Sequence, residues 1–426
     1  MTVPAVPPRR PRVLFVSALQ IYPTTSGGTL RSFGLASGLR RQGLDVRVHS
    51  LTGRKRDYLA RRASSVQVWP CGTEEHVERG VLSALDWLGG YVLAPPPVWI
   101  GARLFAGARS PGQRLLPRAL RRSLAWCDAL VADFPFCAPV FAAPALGRKP
   151  RVLSTHNVEH HLLGGSVPGA HWRPRPMGAA VRWLETRAAA ASDLVVACCD
   201  EDARFFEQHA RAPRTLVVPN GVDVGRFAGL HARRAPARQA LGIANEEKVL
   251  LFTGSRWGPN AEAFAWLLAF AREHAALLRE ERLHLLVVGN VAPEPLRRPG
   301  LTAVGRVDEV EPYFAAADAG LNPLLAGAGT NVKTGEFIAA RLPVVTTAFG
   351  ARGFDLADGA SAFVFERGTL APVLRRVSRL FDRDRRGLRA MAEAAWARNE
   401  RVVDMDACVR PLAQALRGLR PGASRP

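Results

Sequence analysis

Lysine is scarce in this chain. Of 58 Lys+Arg among 426 residues, only Lys55, Lys149, Lys248 and Lys333 are lysine. Acid is in short supply too, with 37 Asp+Glu, so the net charge is +21. The arginines are scattered rather than blocked, which reads as a habit of composition. The surplus still admits anionic partners, phosphorylated substrates or peripheral contact with an anionic membrane. No nucleic-acid-binding motif accompanies it, and no nucleic acid is expected. The six cysteines include no C-x-x-C pair, which excludes a disulfide scaffold or a zinc ribbon. Cys198 and Cys199 sit in an apolar strand pattern and are expected to be buried and reduced, in a cytoplasmic protein. No run of 18 uncharged apolar residues occurs, so no membrane span is expected. The first residues do not fit a signal peptide. The apolar stretch Val81–Phe105 is broken by Asp86 and three prolines; packing under the N-terminal half is expected, with a membrane surface as the alternative. A Walker A sequence and a G-x-G-x-x-G are both absent.

What is present is an alternation of short β-branched runs and helical patterns, made twice. In the first half, strands are expected from Arg12, Asp45, Val66, Arg151 and Asp193, with a helix from Thr29 to Gly43. In the second, strands from Lys248, Leu283, Leu301, Ala319 and Leu342 surround one long helix from Asn260. Such alternation implies βαβ units and parallel sheets. The fold class is therefore α/β: two Rossmann-like, doubly wound domains facing across a cleft. The expected division is a disordered arm 1–11, an N-terminal domain 12–215, a C-terminal domain 216–395, a helix 396–419 packing back on the first domain, and a disordered tail 420–426. The stretch between the halves, with its Pro219-Asn-Gly turn and basic tail, reads as a linker.

Ligands of open parallel sheets sit beyond the carboxyl ends of the strands. Two loops there stand out. Gly27 and Gly28 precede the first helix, with Arg31 on its first turn; a bare backbone at a helix N-terminus favours an anion. A plain strand–helix turn is the structural alternative. The second loop, "GAGTNVKTGEF" from Gly327, carries Gly327 and Gly329 ahead of Thr330, Asn331 and Val332. Its open amides and Lys333 suit a diphosphate, and Glu336 suits the vicinal hydroxyls of a ribose. An i,i+3 salt bridge between Lys333 and Glu336 is the simpler alternative. His156, Glu159 and His160 have the spacing of a metal site, but no third ligand cluster is visible; His156 alone also has a purely structural reading.

The motifs "SGGTLRSFGLASGLRRQGLDVRV", "STHNVE", "LVVPNGVD", "LLFTGSRWGPN", "LLVVGN" and "GTNVKTGEFIAARLPVVTT" occur in an order that resembles the GT-B-fold retaining glycosyltransferases of glycosyltransferase family 4. The resemblance runs from Arg12 to about residue 400. It implies a nucleotide-diphosphate sugar as donor substrate, a saccharide, lipid-linked or small-molecule hydroxyl acceptor, no cofactor and no metal. It assigns His156 to the transferred sugar and Glu336 to the donor ribose. The family's first glutamate of this region corresponds to Ala328. Gly254, Ser255 and Arg256 occupy the diphosphate loop after the first strand of the second domain. Asn260 stands where the family has a lysine, and Lys333 is the expected substitute. Gly289 and Arg306 are placed beside the base. Transfer with retention is expected, in cell-envelope polysaccharide, glycolipid or secondary-metabolite glycosylation. A nucleotide-sugar epimerase and a catalytically weak binding module are the rival readings.

Overall fold

The computed structural model describes residues 9–24, 26–51, 64–78, 104–163, 175–256, 258–327 and 330–419. Most of the N-terminal arm, nearly all of Val81–Phe105, Ala328, Gly329 and the tail lie outside them. The chain divides into two compact units, one of Met1–Gly164, Arg173–Val218 and Cys408–Pro426, the other of Gly165–Trp172 and Pro219–Ala407.

The first unit is built on eight strands: β1 (Arg12–Ser17), β2 (Asp45–Ser50), β3 (Ser65–Val68), β4 (Glu74–Val77), β5 (Ala129–Asp133), β6 (Arg151–Ser154), β7 (Leu194–Ala197) and β8 (Thr215–Val217). Their order is β3-β4-β2-β1-β5-β6-β7-β8. All pairs are parallel except β3 with β4. Central strands such as Val13–Val16 and Leu130–Ala132 are buried throughout, as a sheet covered on both faces requires. The chain reverses its direction of growth between β1 and β5, so a crevice opens at the ends of those two strands. The helix Gly27–Arg41 starts there. It begins two residues earlier than Thr29, because Ser26 caps it: Thr29 N donates to Ser26 Oγ at 3.3 Å and Ser26 N to Thr29 Oγ1 at 2.9 Å. That capping box fixes the start. The paired glycines are thus the first two helical residues.

The second unit holds β9 (Lys248–Thr253), β10 (Leu283–Val288), β11 (Leu296–Arg298), β12 (Leu301–Ala303), β13 (Ala319–Asn322), β14 (Val344–Thr346) and β15 (Phe363–Val364). They run in the order β11-β12-β10-β9-β13-β14-β15, with only β11 antiparallel. The switch point lies between β9 and β13. The long helix expected from Asn260 is two, Gly258–Glu273 and Ala275–Glu280, broken at His274.

Two expectations are corrected. The linker is an ordered part of the second unit, carrying the helix Leu230–Leu241. Its inner face mixes arginine with Leu230, Ala237 and Leu241, which blurs its periodicity. Arg238 is buried and donates to the carbonyls of Ala316, Ala244, Asn245 and Glu247, and Arg234 and Arg238 share Asp318. The segment 396–419 is also not one helix. Arg385–Val403 ends where Val222 N donates to Val403 O at 2.7 Å and Met405 N to Val222 O at 3.0 Å. A new helix, Met405–Gly418, begins there and lays Val409 against Gly38 of the first unit's first helix.

Candidate functional site

In the first unit the switch-point crevice gathers Asp133, Phe134, His156 and the start of the helix Gly27–Arg41. Asp133 ends β5 and is fully buried. Its Oδ2 accepts from Ser17 Oγ at 3.1 Å and Ser32 Oγ at 2.6 Å, and its Oδ1 lies 2.8 Å from His156 Nε2. A carboxylate that already takes two hydroxyls is best matched by Nε2–H, which leaves the imidazole lone pair on Nδ1. The ring stacks on Phe134 at 3.8 Å between centroids and 9° between planes. Nδ1 faces Gly28, where an added Cβ would stand 3.5 Å away. Thr29 N is bonded to the cap, so the amides of Gly27 and Gly28 are the open donors of that helix end. An imidazole acceptor and two helix-end amides therefore share one small space.

His160 takes a different partner, the buried Glu185, through Nδ1. Burial lowers the His160 pKa to about 4 and raises that of Glu185 to about 8, so the pair is neutral at pH 7. His156 and His160 thus point to separate carboxylates rather than to one ion. Among the described residues, Cys198, Cys199 and Asp202 are the cluster with metal-ligand spacing. Arg31 is buried, and its Nε and Nη1 donate to Thr155 O at 3.1 Å and Val218 O at 2.8 Å. It braces the ends of β6 and β8 beneath the crevice.

In the second unit the switch point carries the loop after β9 and the helix Val332–Ala339. Gly289 has φ +112°, and a Cβ there would fall 2.2 Å from Gly254 O. Only glycine permits that approach, which draws the ends of β9 and β10 together. Arg256 N donates to Asn290 Oδ1 at 2.7 Å, while the Arg256 side chain is exposed. Asn260 Nδ2 donates to Ser255 O at 3.0 Å, and its Oδ1 accepts from Lys333 Nζ at 2.6 Å. Lys333 also lies over the Phe252 ring, 4.7 Å from its centroid. The one lysine of the glycine loop is thus drawn onto the loop after β9, at Asn260. Burial lowers its pKa to about 7, against the pull of Glu336.

Glu336 is 7 % exposed, and its carboxylate makes no hydrogen bond with the described residues. Its ion contact is with Arg226, at 3.7 Å, and not with Lys333. Arg226 donates more closely to Glu311, at 2.7 Å. Burial raises the Glu336 pKa and Arg226 works against it; at Glu311 burial acts the same way but Arg226 prevails. Asn331 stands at the N-cap position without a side-chain cap bond and instead ties the helix start down by donating to Phe349 O at 2.8 Å, while Val332 is half-buried in the core. Thr330 Oγ1 is buried without a partner among the described residues. Gly327 precedes it, and Arg306 is exposed.

The Lys333 amine therefore meets Asn260 and the Phe252 ring, while Ser255 and Gly254 adjoin Asn260 and Gly289 adjoins Gly254. Asn331 and Arg31 act as braces. Asp133, Phe134 and Arg226 were not singled out in the sequence. Asp133 closes the run "ALVAD", and that strand ending was its one signal.

The description "Glycosyltransferase Family 4" matches residues 26–226, and "Glycosyl transferases group 1" matches residues 247–383. The chain is 32% identical over 218 residues to a D-inositol 3-phosphate glycosyltransferase of Geodermatophilus obscurus, a match covering 46% of each protein. A protein of the same description from Actinosynnema mirum is 34% identical over 122 residues, 27% of this chain and 28% of that one. The chain thus spans about half the length, or less, of the curated relatives it matches. Anabaena Alr3699/HepE, solved with UDP and glucose, superposes with a TM-score of 0.63 at 16% identity, covering 96% of this chain and 99% of that one. WaaG, a glycosyltransferase involved in lipopolysaccharide biosynthesis, gives 0.61 at 17%, covering 96% and 100%.

Proposed function

The chain belongs to the GT-B glycosyltransferases of family 4, group 1, and from that premise we propose that it moves a sugar from a nucleotide-diphosphate sugar to a hydroxyl acceptor, with retention and without a metal or cofactor. The observation that carries this reading is the Lys333–Asn260 contact, 2.6 Å long, beside Gly254, with Lys333 on the same helix as Glu336, whose carboxylate faces Arg226 at 3.7 Å. Lysine and open amides suit the two phosphates, and the carboxylate suits the ribose hydroxyls. The UDP-bound and UDP-glucose-bound forms of the Anabaena neighbour support a nucleotide sugar as the donor class.

In this reading the bond between the sugar C1 and the β-phosphate oxygen breaks, and negative charge grows on that oxygen. Lys333, Arg256 and the first-turn amides meet the charge from fixed positions. The acceptor oxygen bonds to C1 on the face the phosphate leaves, and its proton passes to the departing phosphate oxygen. His156 contacts the transferred sugar, held in place by Asp133. A cell-envelope glycan, a glycolipid or a secondary metabolite is the acceptor class.

Calorimetry with uridine and with UDP tests the donor assignment. Glu336→Ala should weaken both by about tenfold to a hundredfold, the worth of a charge-assisted hydrogen bond of about 1.5–3 kcal/mol. Lys333→Ala should spare uridine and weaken UDP. If neither substitution changes UDP binding, the assignment fails. Turnover should persist in excess chelator; loss restored by magnesium or manganese would overturn the metal-free mechanism.

A further inference from the structure

The second unit has an open groove of about 900 Å³ that the donor reading does not use. It follows the helix Leu370–Arg383 and is closed by His274 and Leu277 on one side and by the start of the helix Arg385–Val403 on the other. None of the glycine-loop residues lines it. The helix Leu370–Arg383 follows β15 and packs back along the parallel sheet. Its last turn therefore lies at the amino ends of the strands, where Lys248, the first residue of β9, donates to Asp382 at 2.7 Å. The glycine loops are at the opposite, carboxyl ends.

Arg375, Arg379 and Arg383 line the groove at i, i+4 and i+8, so they form one row, roughly 6 Å apart along the helix axis. None of the three has an ion pair or side-chain hydrogen bond among the described residues. Some arginines of this unit are matched, Arg226 with Glu311, Arg234 and Arg238 with Asp318, Arg341 with Glu393, Arg398 with Asp355; others, such as Arg272, Arg279 and Arg386, have no ion pair among the described residues, and what sets the three apart is their place in one row along the groove. Arg376, the fourth guanidinium at the groove, has Asp358 at 3.4 Å. The one carboxylate lining the groove, Asp384, is engaged as a helix cap by Gly387 N at 2.8 Å. Beneath the row the lining is apolar, from Leu277, Leu388 and Met391. Three like charges held on one helix face repel one another, and guanidinium forks match phosphate oxygens in pairs. A row of unmatched guanidiniums above an apolar floor fits a ligand with an anionic head and an apolar body.

We propose that this groove is a second ligand site, which takes an amphiphilic organophosphate: phosphate on Arg375, Arg379 and Arg383, apolar portion on Leu277, Leu388 and Met391. The phosphate has two sources, a soluble phosphorylated compound or a lipid headgroup in a bilayer, and the test separates them. Full-length protein is titrated with dihexanoyl phosphatidic acid below its micellar concentration, with inorganic phosphate, and with dihexanoylglycerol. Flotation with phosphatidylcholine vesicles, with and without phosphatidic acid, forms the second arm. The variant is Arg375→Ala/Arg379→Ala/Arg383→Ala, three exposed positions whose loss should leave the melting temperature and UDP affinity unchanged. Saturable binding of the soluble phosphatidic acid, at least tenfold tighter than either fragment and at least tenfold weaker in the variant, supports a soluble ligand. Binding only to phosphatidic acid vesicles, lost in the variant, supports the headgroup. No binding in either arm, or equal binding by the variant, overturns the proposal. UDP is read in parallel, so failure here is distinct from failure of the donor assignment.

Discussion

Asp133 and His156 meet through Oδ1 and Nε2 at 2.8 Å, from the ends of the adjacent parallel strands β5 and β6. The contact sets which imidazole nitrogen keeps its lone pair, and so what Nδ1 offers beside Gly28. Asp133→Asn tests this with little change of volume. An amide that still accepts from Ser17 and Ser32 turns its NH2 toward Nε2, and the imidazole proton must move to Nδ1. Turnover should fall by about 10²-fold or more, in the range of a mispositioned acid–base group, while the fold survives. Nitrogen chemical shifts of the His156 ring should report the exchanged tautomer. An unchanged ring and unchanged turnover would reduce the pair to a structural contact.

Removing the ring separates chemistry from binding. His156→Ala should lower kcat by a larger factor than it raises the donor KM, because the side chain is assigned to the sugar rather than to the nucleotide. UDP affinity should stay within about twofold. A loss of thermal stability large enough to account for the lost activity would instead make His156 a core residue.

Strand and helix alternation was readable because buried parallel strands are continuous apolar runs, as in Val249–Phe252 and Leu285–Val288. The loop from Gly327 to Glu336 was readable because its residue types sit close together in the chain. Asp133 was not: it acquires a role only where β1, β5, β6 and the first helix converge, and Ser17, Ser32 and His156 are 116, 101 and 23 residues away. The Lys333–Asn260 contact spans 73 residues, although the empty lysine position at Asn260 hinted at it. The helix Leu230–Leu241 was hidden because guanidinium stems, not leucines, face inward at Arg234 and Arg238. Arg226, just before that helix, went unnoticed with it.

The neutral pair Glu185–His160 makes stability depend on pH in a defined direction. Burial raises Glu185 to about 8 in the folded chain, above the usual carboxyl value of about 4.3. The native state then binds the extra proton between those values, so this contribution is lost as pH rises toward 8. His160, lowered to about 4, acts in the opposite sense below about 6.5. The net contribution of this pair should therefore fall between about pH 6.5 and 8. Glu159, also raised by burial, to about 7, adds to it. Urea unfolding across that window, in a Lys333→Met background that removes the opposing rise above about pH 7, should show a declining stability that Glu185→Gln flattens. A decline of the same slope in the variant would assign it to other groups.

Lys333 allows the sharpest test, because its proton can be counted. Burial lowers it to about 7 in the unliganded protein, against about 10.4 when free. Between those values the native state binds fewer protons than the unfolded one, so stability should rise with pH across that window, and Lys333→Met should remove the rise. A bound diphosphate reverses the balance by supplying the missing counter-charge. At pH 8 the amine is mostly neutral before UDP arrives and charged afterwards, while the terminal phosphate is already ionised. Binding should then take up close to one proton. Calorimetry in Tris and in HEPES measures this number directly from the difference in apparent enthalpy. The uptake should vanish at pH 6, where the amine already carries its proton. Lys333→Arg provides the decisive control, since a guanidinium is charged throughout: it should bind UDP more weakly and take up no proton. If Lys333→Arg takes up the same proton at pH 8, another group is the source. If the unmodified chain binds UDP at pH 8 with no uptake, Lys333 does not meet the diphosphate, and the loop from Gly327 to Glu336 serves the fold alone.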